Sequence, residues 1–231
     1  SERFKEYIEL RKEAWKLHIP SLVQFLKLGI PSGLQWGLEV GAFAISGIII
    51  GWFGATQQAA PQIALNIASF TFMFILGLST AGSIRISNAL GRNNIPQMRN
   101  IGLSTLAVGL GYGLVTAILF IVLHNYLPLI FNQNVDVVSL AAHLLLFAAV
   151  FQISDATQAI GIGLLRGMKD VTIPTLSVII AYWLIGLPLG YYLGVKFDMK
   201  STGMWIGLLS GLTVSSILLN IRFHTLTKKM L

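Results

Sequence analysis

Apolar residues run almost uninterrupted through six stretches of the chain, at 28–53, 59–81, 101–123, 137–164, 173–193 and 203–221. Each is near or above the roughly 20 residues that a helix needs to cross a bilayer. Polar residues gather between the stretches: of 16 basic and 9 acidic side chains, only Glu39 and Asp155 fall inside one. A segment in lipid has to satisfy its own backbone hydrogen bonds, which a helix does and a lone strand does not. The pattern predicts an all-α, polytopic membrane protein with six transmembrane helices.

Composition narrows the function classes. The 231 residues are 55% hydrophobic and only 11% charged, against roughly 25% charged in globular domains. A disordered chain, a coiled coil and nearly every water-soluble enzyme are excluded. With no cysteine, a disulfide scaffold, a thiolate zinc site and a cysteine nucleophile are excluded as well.

The net charge of +7 would fit a nucleic-acid surface, but its placement argues for a membrane instead. The amino-terminal stretch carries Arg3, Lys5, Arg11, Lys12, Lys16 and Lys27. Alternate loops carry Arg85, Arg92 and Arg99, then Arg166 and Lys169, and the tail carries Arg222, Lys228 and Lys229. The loops between them hold only Lys196 and Lys200. Fourteen basic residues against two predict that both termini face the cytoplasm, with no role for nucleic acid.

Residues 1–27 mix four glutamates with basic and aliphatic residues and Trp15, as an interfacial amphipathic helix would, ending near Pro20. The expected domain plan is a cytoplasmic amphipathic linker helix at 1–27 and a six-helix transmembrane lobe at 28–231. The chain opens on Ser, which is expected of a piece of a longer polypeptide.

Polar side chains inside apolar spans are costly, so each is a functional candidate. Glu39 sits near the middle of its span. At helical spacing it shares a face with Ser32, Gln35, Phe43 and Ser46. Gly37 and Gly41 lie about 160° around the axis, within a stripe formed with Gly29 and Gly33. That stripe is expected to pack closely on another helix while Glu39 points into a cavity. The bland alternative for Glu39 is a carboxyl satisfied by a neighbouring helix. Asp155 stands between Gln152 and Gln158 at steps of three, with Ser154 and Thr157 beside it, and the three are expected to share a face. Gln62, Asn66 and Ser69 form a third polar row, and such amides also serve as glue between helices.

Other residues read more simply. Pro31 and Pro188 can bend their helices, whereas Pro61 and Pro174 fit a first helical turn. Tyr182, Trp183, Tyr191, Tyr192 and Trp205 read as including interfacial belt residues. Gly109, Gly111 and Gly113 lie inside a span and read as packing residues. The chain has no HExxH, GxSxG or Walker-type loop and no paired-aspartate run, so an intramembrane enzyme has little support.

Several stretches, in order, resemble a known family. Leu28-Gly-Ile-Pro-Ser-Gly-Leu-Gln35 runs on to Leu38-Glu-Val-Gly-Ala-Phe43, and Gln62-Ile-Ala-Leu-Asn66 is followed by Ser83-Ile-Arg-Ile-Ser-Asn-Ala-Leu-Gly91. Gln152-Ile-Ser-Asp155, Leu165-Arg-Gly-Met-Lys-Asp170, Pro174 and Tyr182-Trp-Leu-Ile-Gly-Leu-Pro-Leu-Gly190 come later. The set is similar to the second half of the multidrug and toxic compound extrusion (MATE) family, NorM-like branch, from about residue 20 to the end.

The resemblance implies one lobe of a two-lobe, twelve-helix transporter, with substrate between the lobes and the amino-terminal six-helix lobe as the missing partner. It implies a secondary antiporter in the cell's inner (plasma) membrane that exports organic cation drugs in exchange for Na⁺ or H⁺, with no other cofactor. The cation-coupling acids fall on Glu39 and Asp155, which would also be the metal ligands if the ion is Na⁺. Gln35, Gln152 and Ser154 are expected to add oxygens. Phe43 and Gln62 fall on substrate contacts, with Asn66 and Gln158 expected to join them. Some NorM-like members have Tyr one turn before the Asp, where this chain has Phe151, which removes one possible oxygen. The competing expectations are a lipid-linked oligosaccharide flippase, which would more often line its cavity with arginines, and a structural membrane subunit without a transport cycle.

Overall fold

The structure is a computed structural model, and it describes residues 18–230. Six helices long and apolar enough to span a membrane account for most of them. They are α1 (Ile19–Gly51), α2 (Ala55–Gly91), α3 (Ile95–Leu123), α4 (Val135–Gly167), α5 (Thr172–Lys196) and α6 (Lys200–Met230). A short 3-10 turn, Leu127–Ile130, precedes α4. The expected linker helix falls mostly on residues 1–17, outside the described residues. From Ile19 on, the chain belongs to α1, with Pro20 in its first turn.

The helices outrun the apolar stretches because their ends are set by local stop and start chemistry, not by hydropathy. Asn94 caps α3 by accepting from the Gln97 backbone N–H at 3.0 Å, seven residues ahead of the apolar run. Asn134 caps α4 in the same way, accepting from the Asp136 N–H at 3.0 Å. One expectation is corrected here. α2 begins at Ala55, so Pro61 lies inside the helix and not in its first turn.

α4 is the hub, packed against α2, α3 and α6, while α5 packs chiefly on α6. The α5–α6 contact is unusually close. A Cβ on Gly207 would collide with the backbone of Gly190, one on Gly211 with the Ala181 carbonyl, and one on Gly203 with the backbone at Gly194. Small residues let two backbones approach in this way. The expected close-packing stripe on α1 does not do so. Gly29, Gly33 and Gly37 have no atom within 4 Å of where a Cβ would stand, and Gly41 meets only the edge of Trp183. The stripe is smooth as expected, but it faces away from the other described helices. Spacing defines a smooth face without saying what lies opposite. Gly109 and Gly113 do pack α3 onto α4, against Ile160 and the Gln152 carbonyl, while Gly111 faces open space.

The apolar core is divided in two. One cluster, with Leu144, Leu145, Ala181, Trp205 and Leu208, fills the half away from the basic loops. The other, with Ile86, Met98, Ile160, Leu165, Leu219 and Phe223, fills the half toward them. Between the two lies a layer of polar side chains.

Candidate functional site

The polar layer begins with hydroxyl pairs that hold α4 to α6. Ser154 Oγ lies 3.0 Å from Thr213 Oγ1, and Thr157 Oγ1 lies 2.7 Å from Ser216 Oγ. On the opposite side of α4, Gln152 Oε1 accepts from Thr71 on α2 at 2.9 Å and from Thr116 on α3 at 3.3 Å. Gln158 turns the other way, toward α1 and α5. The expected shared face of Gln152, Asp155 and Gln158 is therefore corrected. Each step of three residues falls 60° short of a full turn, so two steps open a 120° gap. Gln152 ends up in packing and Gln158 ends up beside Glu39.

Glu39 is held from two helices. Gln158 Nε2 donates to Glu39 Oε1 at 3.1 Å, and the Tyr182 hydroxyl lies 3.2 Å from the same oxygen. The hydroxyl is also 3.0 Å from Gln158 Oε1, so its single proton serves one acceptor at a time. Gln158 is 1% exposed and Tyr182 fully buried. Asp155, three residues before Gln158 on α4, is half-buried. No hydrogen bond to its carboxylate occurs among the described residues. Gln35, one turn before Glu39, is buried with its amide nitrogen unpartnered among the described residues, and so is the Ser46 hydroxyl. The Glu39 face of α1 thus turns into the lobe.

Aromatic rings form one wall. Phe43 lies 6.0 Å from the Tyr182 ring and 6.5 Å from Phe151, which packs edge-on to Trp205 at 5.6 Å. Gln62 and Asn66 are not part of this cluster. They are exposed on α2, joined to each other by a weak 3.4 Å contact, with no hydrogen bond to Glu39 or Asp155.

Tyr182 is the residue whose role the sequence reading missed. It and Trp205 are buried within the lobe, whereas Tyr191 and Tyr192 are exposed near the end of α5. Its position near the middle of the 173–193 stretch, far from either interface, was the available signal. α5 reaches it through a π-helical stretch, Ile179–Gly186, which ends where Pro188 takes up an early position in the next α-helical turn. Trp183, next along, donates its indole N–H to the Leu38 carbonyl at 3.1 Å and ties α5 to α1 beside Glu39.

The donor set of the site is oxygen-rich: two carboxylates, Gln158 Oε1, a phenol and nearby hydroxyls. Hard cations without strong geometric demands, and protons, suit such groups. The family model MatE matches residues 31–192, more than half of the chain.

The chain belongs to the MatE family.

Its curated relatives include the multidrug resistance protein MdtK of Proteus mirabilis (strain HI4320), 44% identical over 199 residues, covering 84% of this chain and 44% of the relative. The probable multidrug resistance protein NorM of Xylella fastidiosa (strain 9a5c) is 38% identical over 205 residues, covering 89% and 44%. The fold matches the crystal structure of the eukaryotic MATE transporter AtDTX14 with a TM-score of 0.84 at 23% identity, over 92% of this chain and 49% of that one. An outward-facing multidrug resistance MATE family transporter of the MOP superfamily gives 0.83 at 16% identity, over 91% and 48%. This MatE chain spans about half the length of the relatives it matches.

Proposed function

We propose that this chain is the carboxyl-terminal six-helix lobe of a secondary antiporter that exports organic cations in exchange for Na⁺ or H⁺. The observation that carries the proposal is Glu39, a carboxylate between two apolar clusters, held by Gln158 and Tyr182, with a second acid, Asp155, three residues before Gln158 on α4. A charge at that depth is hard to explain by packing alone.

The mechanism is competition for these carboxylates. When they are unoccupied, their negative charge favours a cationic drug, with Phe43 adding a cation–π contact worth about 2 kcal/mol when desolvated. When Na⁺ or H⁺ enters from outside, it neutralises the carboxylates and the drug leaves. Gln158 Oε1 and the Ser154 hydroxyl are the oxygens available to help hold Na⁺, and Gln35 lies one turn away. Gln62 and Asn66, exposed on α2, contact the drug from the wall of a cleft shared with a second six-helix lobe. Alternating access rocks the two lobes about this midplane site. The protein is set in the inner membrane with both termini cytoplasmic, following the basic loops.

The test uses the complete polypeptide in everted membrane vesicles. Ethidium uptake is followed under an imposed pH gradient and then under an imposed Na⁺ gradient, with Glu39→Gln beside the wild type. Uptake driven by one gradient and lost in the variant is expected, and it names the ion. No uptake under either gradient, with the protein folded, overturns the proposal.

A further inference from the structure

We infer that Tyr182 is a positioning residue for the coupling-ion site: with Gln158 it engages one oxygen of Glu39, leaving the other free for the ion. The inference rests on the antiport reading above and deepens it. Both contacts, at 3.1 and 3.2 Å, fall on Oε1, and no protein donor reaches Oε2 among the described residues. A carboxylate offers about four lone-pair directions, and two of them are taken on one oxygen. The remaining oxygen is the one available to an incoming cation or proton.

The clamp is built across three helices, so it reports their spacing. Gln158 comes from α4, Tyr182 from α5 and Glu39 from α1. The Tyr182 ring has no freedom to leave, because it is fully buried and packed 6.0 Å from the Phe43 ring. The 3.0 Å contact between the hydroxyl and Gln158 Oε1 gives the phenol a second acceptor. When the ion withdraws electron density from Glu39, the hydroxyl proton can turn to Gln158 without any heavy atom moving. Asp155, three residues before Gln158 on α4, is the other acid inside an apolar stretch. No hydrogen bond to the Asp155 carboxylate occurs among the described residues, whereas Glu39 is held by two.

The clamp predicts different behaviour for two neighbouring aromatic residues. Tyr182→Phe removes only the hydroxyl from the clamp. Trp183→Phe removes the hydrogen bond to the Leu38 carbonyl, which ties the same two helices without touching Glu39. In proteoliposomes holding the complete polypeptide, Tyr182→Phe is expected to raise the half-saturating concentration of the coupling ion about tenfold. Hydrogen bonds to charged groups have effects of that order. Trp183→Phe is expected to leave the ion dependence unchanged, even if thermal stability falls. Ion dependence in Tyr182→Phe equal to wild type overturns the inference and leaves the antiport reading intact.

A second measurement does not depend on transport. Infrared difference spectra on adding the ion, with Glu39→Gln assigning the Glu39 carboxylate bands, should show those bands displaced in Tyr182→Phe and unmoved in Trp183→Phe. Identical Glu39 bands in Tyr182→Phe and wild type overturn the inference whether or not any gradient drives flux. Absence of flux in wild type, with displaced bands in Tyr182→Phe, leaves the clamp standing and removes the antiport reading instead.

Discussion

Gln158 on α4 donates its side-chain amide to Glu39 on α1 across 3.1 Å, bridging residues 119 apart in the chain. The bond makes the carboxylate part of the lobe's own packing. Asp155, three residues earlier on α4, has no such partner among the described residues. The two acids therefore respond differently to substitution, although both lie in the same polar layer.

Glu39→Leu leaves the Gln158 amide N–H without its acceptor, while the Tyr182 hydroxyl can still donate to Gln158 Oε1. A buried donor that loses its acceptor costs about 1–3 kcal/mol, so the melting temperature in detergent should fall. Glu39→Gln keeps an acceptor and should melt close to wild type. Asp155→Asn breaks no hydrogen bond among the described residues, so its melting temperature should stay close to wild type. Both polar variants should abolish ion-driven export. An Asp155→Asn protein that melts well below wild type would show that this carboxylate is a structural anchor after all.

Gln152 was expected among the cation-supporting oxygens, and its geometry argues for packing. Gln152→Leu removes the acceptor shared by Thr71 and Thr116. Each of those hydroxyls can turn its single proton to a carbonyl of its own helix instead, so the loss should be near the low end, about 1 kcal/mol. Thermal denaturation should register it, while ion affinity stays unchanged. Weaker ion binding at full stability would return Gln152 to the ion site.

Two glycines test where the helices are close. Gly207→Leu drives a side chain into the backbone of Gly190 and should cost about 3 kcal/mol or more, seen as a loss of monodisperse protein on size exclusion. Gly37→Ala meets nothing among the described residues. It should hold or gain up to about 1 kcal/mol from helix propensity. If Gly37→Ala instead lowers stability in the complete polypeptide, the α1 stripe is covered there by another surface.

Asp170 receives the Arg222 Nε–H at 2.8 Å and ties the α4–α5 loop to the end of α6. Arg222 is about a third exposed, so solvent screens the pair, and Asp170→Asn should cost no more than about 1 kcal/mol. The difference from wild type should shrink in high salt. Melting curves at low and high ionic strength measure it; a salt-independent loss of several kcal/mol would contradict a screened pair.

The six spans, the depth of Glu39 and Asp155, and the inward face of α1 carrying Gln35 and Phe43 were all legible in the one-dimensional pattern. Each is a property of a single helix: water excludes long apolar runs, lipid penalises stray charge, and 100° per residue sorts the faces. What lies opposite a face is a property of two helices, and only their packing decides it. Hence the glycine stripe of α1 turned out to face outward, while Gly186, Gly190 and Gly194 met Gly203, Gly207 and Gly211. Hence also Gln152 and Gln158, two steps apart on one apparent stripe, went to different neighbours. Tyr182 was visible as a mid-span aromatic residue. Its hydroxyl gained a purpose only once α5, through its π-helical turns, set it beside a carboxylate from the far end of the chain.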